Sequence, residues 1–334
     1  MSVEVRRATA EDRDRWDGLV ERSSHGTPFH LDGFARVAAD YAGIEYVPLI
    51  GYVGQEPVGL FPAFKQSHGP VTTVVSPPPD LQITYQGPAM VNIEKLKRRK
   101  ADRRHRRFVE GCLDYLEETD APSYIHVRTA SRYLDTRPFV QRGFDASPAH
   151  TYVVDISPDE DDLLKRFSSD ARGNVTDDYD DVTVRVGEAR GIRRIIEQVR
   201  ARHEAQDEPF TVPASFVVDL WRELPDGVVR PYVCEVDGEF SGGMVTLEHG
   251  ETAYRWLGGA KHDADAPVND IVDWRIIRDA KSRGMTRYDL VGANQPNIAR
   301  YKAKFAPELE LYQQLERGTA LMKLASNVYK RVRK

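Results

Sequence analysis

Apolar and polar residues in this chain recur with a period that switches repeatedly between two and three to four. Residues 46–65, YVPLIGYVGQEPVGLFPAFK, read as two strands around a turn at Gly54, Gln55, Glu56 and Pro57. Residues 3–5, 123–129, 151–156, 182–187, 251–260 and 286–292 carry further strand patterns. Residues 230–238 meet 240–250 across Asp237 and Gly238, a dipeptide suited to the left-handed turn of a hairpin. Helical spacing covers 9–20, with Thr9 three residues before Asp12 as a cap signature, and 31–41, 93–119, 160–172, 190–206 and 213–223. Residues 139–144 read as a small helix and turn. Residues 269–284 are amphipathic: Ile271, Trp274, Ile277 and Arg278 fall on one stripe, and Gly284 stands where a helix stops. The Pro- and Gly-rich stretch 67–92 predicts loop or extended chain.

The order strand, helices, hairpin, strand, helix, strand occurs twice. Antiparallel hairpins mixed with helices predict an α+β protein rather than a doubly wound parallel sheet. A length of 334 residues suits about two domains. The expected division is an N-terminal domain over 1–155, an acidic linker with a helix over 156–181, and a C-terminal domain over 182–334.

Composition narrows the class. The chain is 40% hydrophobic and 30% charged with a net charge of −5, which describes a globular protein with no global field selecting DNA or membrane. Two cysteines, Cys112 and Cys234, are too few for a disulfide framework or a zinc site, so no metal is expected and a reducing cytoplasm fits. The charged opening residues do not read as a secretory signal, and no window reaches the ~20 apolar residues of a membrane span.

The most specific stretch is RYDLVGANQPNIARYKAKF, 287–305. An apolar strand that delivers Asp289, a turn at Gly292 and then a positioned Lys302 can build a site for an anionic, acyl-bearing ligand. Read on its own residues, Lys302 could stabilise an oxyanion or phosphate, or could simply face solvent. Asp289 could orient Lys302 or accept a proton, or could cap a turn. Tyr254 could donate to a leaving group or be an ordinary half-buried strand tyrosine. His262 could be a base or an idle loop residue. Trp256 would line the cleft, and Arg255 and Asn294 could hold a carboxylate or phosphate.

This stretch resembles the closing signature of the Fem-type acyltransferases, yDfgG followed by FKxxFG. It reads here as Tyr288-Asp289-Leu290-Val291-Gly292 and Tyr301-Lys302-Ala303-Lys304-Phe305-Ala306, with Val291 and Ala306 where glycines are usual. Gly242-Gly243, Tyr254 with Gly258-Gly259, and Trp274 extend the resemblance, and Trp16, residues 26–30 and residues 85–88 match it more loosely. The resemblance implies tandem domains of the GCN5-related acetyltransferase (GNAT) fold, with mainly antiparallel mixed sheets flanked by helices. It implies acyl transfer to an amine, on an amino sugar or peptide of a cell-envelope precursor. Lys302, Asp289 and Tyr254 would be catalytic, Trp256, Arg255, His262 and Asn294 would bind substrate, and Gly258 and Gly259 would bind the donor. No cofactor would be tightly held; acyl-CoA or aminoacyl-tRNA would be a co-substrate. The loop 260–267 before the phosphate-binding helix lacks the glycines of the usual GNAT phosphate loop, which argues against ordinary acetyl-CoA binding there.

Two basic segments bear on partners. Residues 95–107, from Lys95 to Arg107, hold nine Lys or Arg, which suits an anionic macromolecule such as tRNA or a lipid-linked glycan, or else a solvated helix face. The last eighteen residues carry six basic side chains and no acid. Leu321, Leu324, Ala325, Val328 and Val332 form a stripe that suits peripheral membrane contact or packing on the protein. The alternative to an enzyme is a non-catalytic module of this fold that binds an anionic polymer or tRNA.

Overall fold

The computed structural model describes residues 2–69, 71–261, 264, 266–319 and 322. In chain order the elements are β1 Glu4–Arg7, α1 Ala10–Asp14, α2 Trp16–Glu21, α3 Asp32–Ala42, β2 Glu45–Val53, β3 Glu56–His68, β4 Val71–Ser76 and β5 Ala89–Met90. Next come α4 Arg98–Asp120, β6 Tyr124–Arg128, α5 Arg137–Gln141, β7 Asp145–Asp155, α6 Glu160–Arg166, α7 Ser169–Thr176, β8 Val182–Val186, α8 Ala189–Glu204 and α9 Ala214–Glu223. The series ends with β9 Val229–Val236, β10 Glu239–His249, β11 Thr252–Ala260, α10 Val268–Ser282, β12 Arg287–Asp289, α11 Pro296–Lys302 and β13 Glu308–Gly318. They divide into two units, Met1–Ala149 with Leu311–Lys334, and His150–Glu310.

In the first unit the strand order is β1-β2-β3-β4-β6-β13, with β5 beside β3. Every pair is antiparallel except β4 with β6. The spacing of α4 explains its seat: Phe108, Val109, Cys112, Leu113 and Leu116 lie on one stripe and are buried with Phe61, Ile125 and Val127. Each such large side chain contributes about 1.5–3 kcal/mol by leaving water. At the start of the unit, Thr9 and Asp12 form the expected capping box. The basic half of α4 is not uniformly solvated, because Arg104 is buried and ion-paired to Glu56 at 2.8 Å.

The second unit orders its strands β7-β12-β11-β10-β9-β8. Its pairs are antiparallel apart from β11 with β12. The Asp237-Gly238 turn closes the β9–β10 hairpin with both residues at positive φ, as a two-residue hairpin requires. Trp274 and Phe305 both meet Phe167 edge-on, with ring centroids 5.7 and 5.3 Å apart.

Several expectations change. The stretch 156–181 is not a bare connection: Leu163, Phe167 and Ala171 enter the second unit's core. Its helix over 160–172 breaks at Phe167 and Ser168, where Ser168 caps α7. Strand β4 lies inside the stretch read as loop, because VTTVVS is rich in β-branched residues and holds no proline between Pro70 and Pro77. Of the expected α10 stripe, Trp274 and Ile277 are buried, but Val272, Asp273, Ile276 and Ala280 complete the buried face, Ile271 is half-buried, and Arg278 is exposed and pairs with Glu160 at 3.1 Å. Residues 311–318 belong to the first unit, since β13 pairs with β6. The basic amphipathic stripe from Leu321 onward lies outside the described residues. Among the described residues no helix is long and apolar enough to cross a membrane.

Candidate functional site

Parallel strands β11 and β12 pair only over Thr252↔Arg287, Ala253↔Tyr288 and Tyr254↔Asp289. There β12 ends, while β11 continues to Ala260 with β10 on its other side. From Arg255 onward β11 therefore has an edge that no β12 residue covers, and such an edge offers unpaired backbone N–H and C=O groups.

Alternation sends neighbouring side chains of β11 to opposite faces. Arg255 meets α10, where its Nε donates to Asp273 Oδ1 at 2.8 Å, and its guanidinium lies 5.7 Å from the Tyr301 ring. Trp256 meets α9, with Phe216 edge-on at 6.0 Å. Asp273 is fully buried and also accepts from the Tyr288 hydroxyl at 2.6 Å and the Tyr301 hydroxyl at 2.8 Å. Burial, the largest single effect, lowers the Arg255 pKa, but Asp273 with Tyr301 and Tyr288 together outweigh it, so the guanidinium titrates above its ordinary value.

Lys302 ends α11 with only 5% of its surface exposed. Its Nζ donates to the carbonyls of Val291 at 2.9 Å and Gly292 at 2.7 Å. Burial, and secondarily the Arg255 charge, push its pKa down to about 7 against the opposing pull of Asp289 and Asp273. Both carbonyls can be served by an ammonium, which has three N–H bonds, or by a neutral amine, which has two. The ammonium keeps one proton to give, and the amine keeps a lone pair.

Asp289 is buried and shapes the same loop. Its Oδ1 accepts from Thr151 Oγ1 at 2.7 Å and from the Val291 backbone N–H at 2.8 Å, while Gly292 N–H donates to Thr151 Oγ1 at 2.9 Å. Asn294 exchanges hydrogen bonds with the His150 backbone, at 2.8 and 3.1 Å, and so fixes the loop's far end. Tyr254 is 7% exposed and sits beside Asp289 in the strand register.

Gly258 and Gly259 have a packing reason for lacking side chains. Gly258 has φ +153°, and a Cβ there would lie 2.2 Å from the Gly243 carbonyl oxygen. A Cβ on Gly259, at φ +149°, would lie 2.4 Å from Arg202 Nη1. Arg202 comes from α8, and burial and the nearby Arg255 lower its pKa. His262 lies outside the described residues. The N-terminus of α10 has no side-chain cap, and the buried Asp270 in its first turn pairs with Lys304 at 2.6 Å.

The sequence-based site residues thus separate. Arg255, Asp289 and Lys302 share one buried electrostatic cluster, and Tyr254 adjoins Asp289. Trp256 faces α9, and Asn294 braces a loop. Asp273, Tyr288, Tyr301, Thr151 and Arg202 were missed.

A second feature belongs to the first unit. An open groove of about 650 Å³ is lined by Arg98, Arg99, Arg103 and Arg106 of α4 and by Arg137, with Asp102 and Asp135 among them. The acids pair with Arg98 and Arg137. Among the described residues, Arg99 and Arg103 have no ion-pair partner.

Residues 169–303 match the family described as acetyltransferase (GNAT) domain. No curated protein matches the chain in sequence. Among solved structures the chain is similar to FemX, with a TM-score of 0.72 and 13% identity, covering 93% of this chain and 96% of that one. It is similar to the L-PGS of Bacillus licheniformis, with a TM-score of 0.59 and 11% identity over 97% of both chains. A tandem GNAT protein from the clavulanic acid biosynthesis pathway gives 0.52 and 12% identity, covering 95% of this chain and 98% of that one. At such identities the likeness is one of fold. Residues 169–303 are thus a GNAT domain, in a chain whose fold is the Fem-like tandem GNAT fold.

Proposed function

We propose that this protein is an N-acyltransferase that moves an acyl or aminoacyl group from an activated ester or thioester to an amine. The observation that carries the reading is the parting of β11 and β12 beside a buried lysine whose pKa is about 7. The free edge of β11 would align the donor by backbone hydrogen bonds. The amine attacks the donor carbonyl, the carbonyl oxygen takes up charge, and the carrier leaves as the tetrahedral intermediate collapses. The third proton of the Lys302 ammonium would meet that oxyanion, and its neutral form would accept the proton the attacking amine sheds. Such preorganised electrostatics is the principal catalytic term in acyl transfer. Tyr254, beside Asp289, would donate to the leaving group, and Asp289 would hold the Lys302 loop in place.

The donor proposed is an aminoacyl ester, as on tRNA, rather than acyl-CoA. A GNAT pyrophosphate needs a helix N-terminus with free backbone donors. Here that first turn carries the buried Asp270, and its loop lacks glycine. The acceptor proposed, an amino sugar or peptide of an envelope precursor, is what the resemblance of residues 287–305 to the Fem-type signature implies. Work in a reducing cytoplasm suits two free, buried cysteines.

The test incubates the protein with acetyl-CoA or with individual aminoacyl-tRNAs, plus UDP-linked muropeptide, and reads acceptor mass. A gain of one aminoacyl residue is expected. Transfer from acetyl-CoA alone would overturn the donor assignment. No transfer from any donor, with no thermal stabilisation by any of them, would favour the binding-module reading and end this one.

A further inference from the structure

Arg128 ends β6 in the first unit, far in sequence from the GNAT match. The parallel pairing of β4 with β6 stops one residue earlier, at Ser76↔Val127. Arg128 is still paired through its backbone, to Gln314 of β13 and by its carbonyl to the N–H of Gln86 at 3.0 Å. Its side chain is different. The Nε atom is sealed from solvent and finds no hydrogen-bond partner among the described residues. The guanidinium has no ion pair or hydrogen bond among them either. Burial lowers its pKa, and the only other group felt there is Tyr312, with no carboxylate contributing. Tyr312 and Tyr85 stand close by, edge-on with ring centroids 5.2 Å apart and both buried.

Arg128 as a whole is half-buried, with its Nε sealed off, and a cation drawn largely out of water without a counterion is costly; such costs persist where a ligand supplies the missing charge. Two other arginines drawn out of water are supplied internally: Arg255 by Asp273, and Arg104 by Glu56. A guanidinium's fork of donors matches a planar or tetrahedral oxyanion, and tyrosine walls would flank the group that carries it.

We propose that Arg128, with Tyr85 and Tyr312, forms an anion-binding site of the first unit for the carboxylate or phosphate of a small molecule. The proposal does not depend on the reading of the acyl-transfer site.

The experiment uses the full chain at constant ionic strength in a chloride buffer. Thermal unfolding and calorimetric titration are run with inorganic phosphate and, separately, with propionate, for wild type, Arg128→Lys and Arg128→Met. Wild type should bind at least one anion and melt higher in it, and the anion that works identifies the oxyanion class. Arg128→Lys should weaken binding several-fold, and Arg128→Met at least tenfold. Without anion, Arg128→Met should melt no lower than wild type, because it removes an uncompensated charge. Failure of both anions to bind wild type would overturn the site. Equal binding by Arg128→Met would do the same. So would a Met variant that melts several degrees lower without ligand, the mark of a purely structural arginine.

Discussion

Lys302→Met tests the electrostatics at the parting strands without any knowledge of substrate. In the folded chain the Lys302 pKa falls from 10.5 to about 7, with burial as the first cause. Unfolded, the same group titrates near 10.5. Between these values the unfolded chain binds more protons, so stability rises with pH there. The cost of the buried charge is fully present below pH 7, fades as pH rises, and is gone above 10.5. A separation of about three and a half pH units corresponds to about 5 kcal/mol. Between pH 7 and pH 9 the change is about 2 kcal/mol, because at pH 7 the folded group is still half protonated. Methionine cannot titrate, so the variant lacks this slope. It also leaves the Val291 and Gly292 carbonyls without their donor, a loss of about 1–3 kcal/mol each that does not change with pH. The difference in unfolding free energy, wild type minus variant, should therefore climb by about 2 kcal/mol over those two pH units. Urea titrations followed by tryptophan fluorescence, repeated from pH 6 to pH 9.5, measure it. All other titrating groups are common to both proteins and cancel. A difference that stays flat to within about half a kcal/mol would show an ordinary solvated ammonium and refute the role given to burial.

Gly258→Ala should cost about 3 kcal/mol or more, seen as a lower urea midpoint, because the new Cβ meets the Gly243 carbonyl oxygen at 2.2 Å on a backbone at φ +153°. Arg99, Arg103 and Arg106 replaced together by Glu should leave the melting temperature nearly unchanged and weaken binding of an RNA oligomer. The slope of log affinity against log salt should flatten by about 2, at about 0.7 for each phosphate no longer neutralised. An unchanged slope would make the groove a plain solvated surface. Arg104 is left out of that set, since its ion pair with Glu56 would confound stability with binding.

The sequence was most readable where local chemistry decides the outcome. Thr9 with Asp12, and Asp237 with Gly238, each form the cap or turn their residues dictate. It was least readable where a distant partner decides. The run ELELYQQLERG alternates, but only pairing with β6 makes it strand β13. Phe167 looks like one residue of a continuous helix, yet Trp274 and Phe305 receive its ring and the helix breaks there. The site divides in the same way. Lys302, Asp289 and Arg255 could be singled out by residue type and motif, but Asp273 could be recognised only as the partner of three groups from β11, β12 and α11. Gly258 and Gly259 stand out as a motif, while the close approach that requires them involves Gly243 and Arg202.

The loop after β12 holds Val291 at φ +52°, a left-handed conformation that costs a β-branched residue on the order of 1–2 kcal/mol. Asp289 grips it by the Val291 N–H and Lys302 by the Val291 and Gly292 carbonyls, so the strained turn is pulled from both sides of its backbone. One of those grips titrates near neutrality. An ammonium holds a carbonyl more strongly than a neutral amine does. Each proton that Lys302 gives up therefore slackens a tensioned turn, and each one it regains draws the turn tight again. Proton transfer at this lysine is coupled to the shape of its own support, and a chemical event there is also a mechanical one.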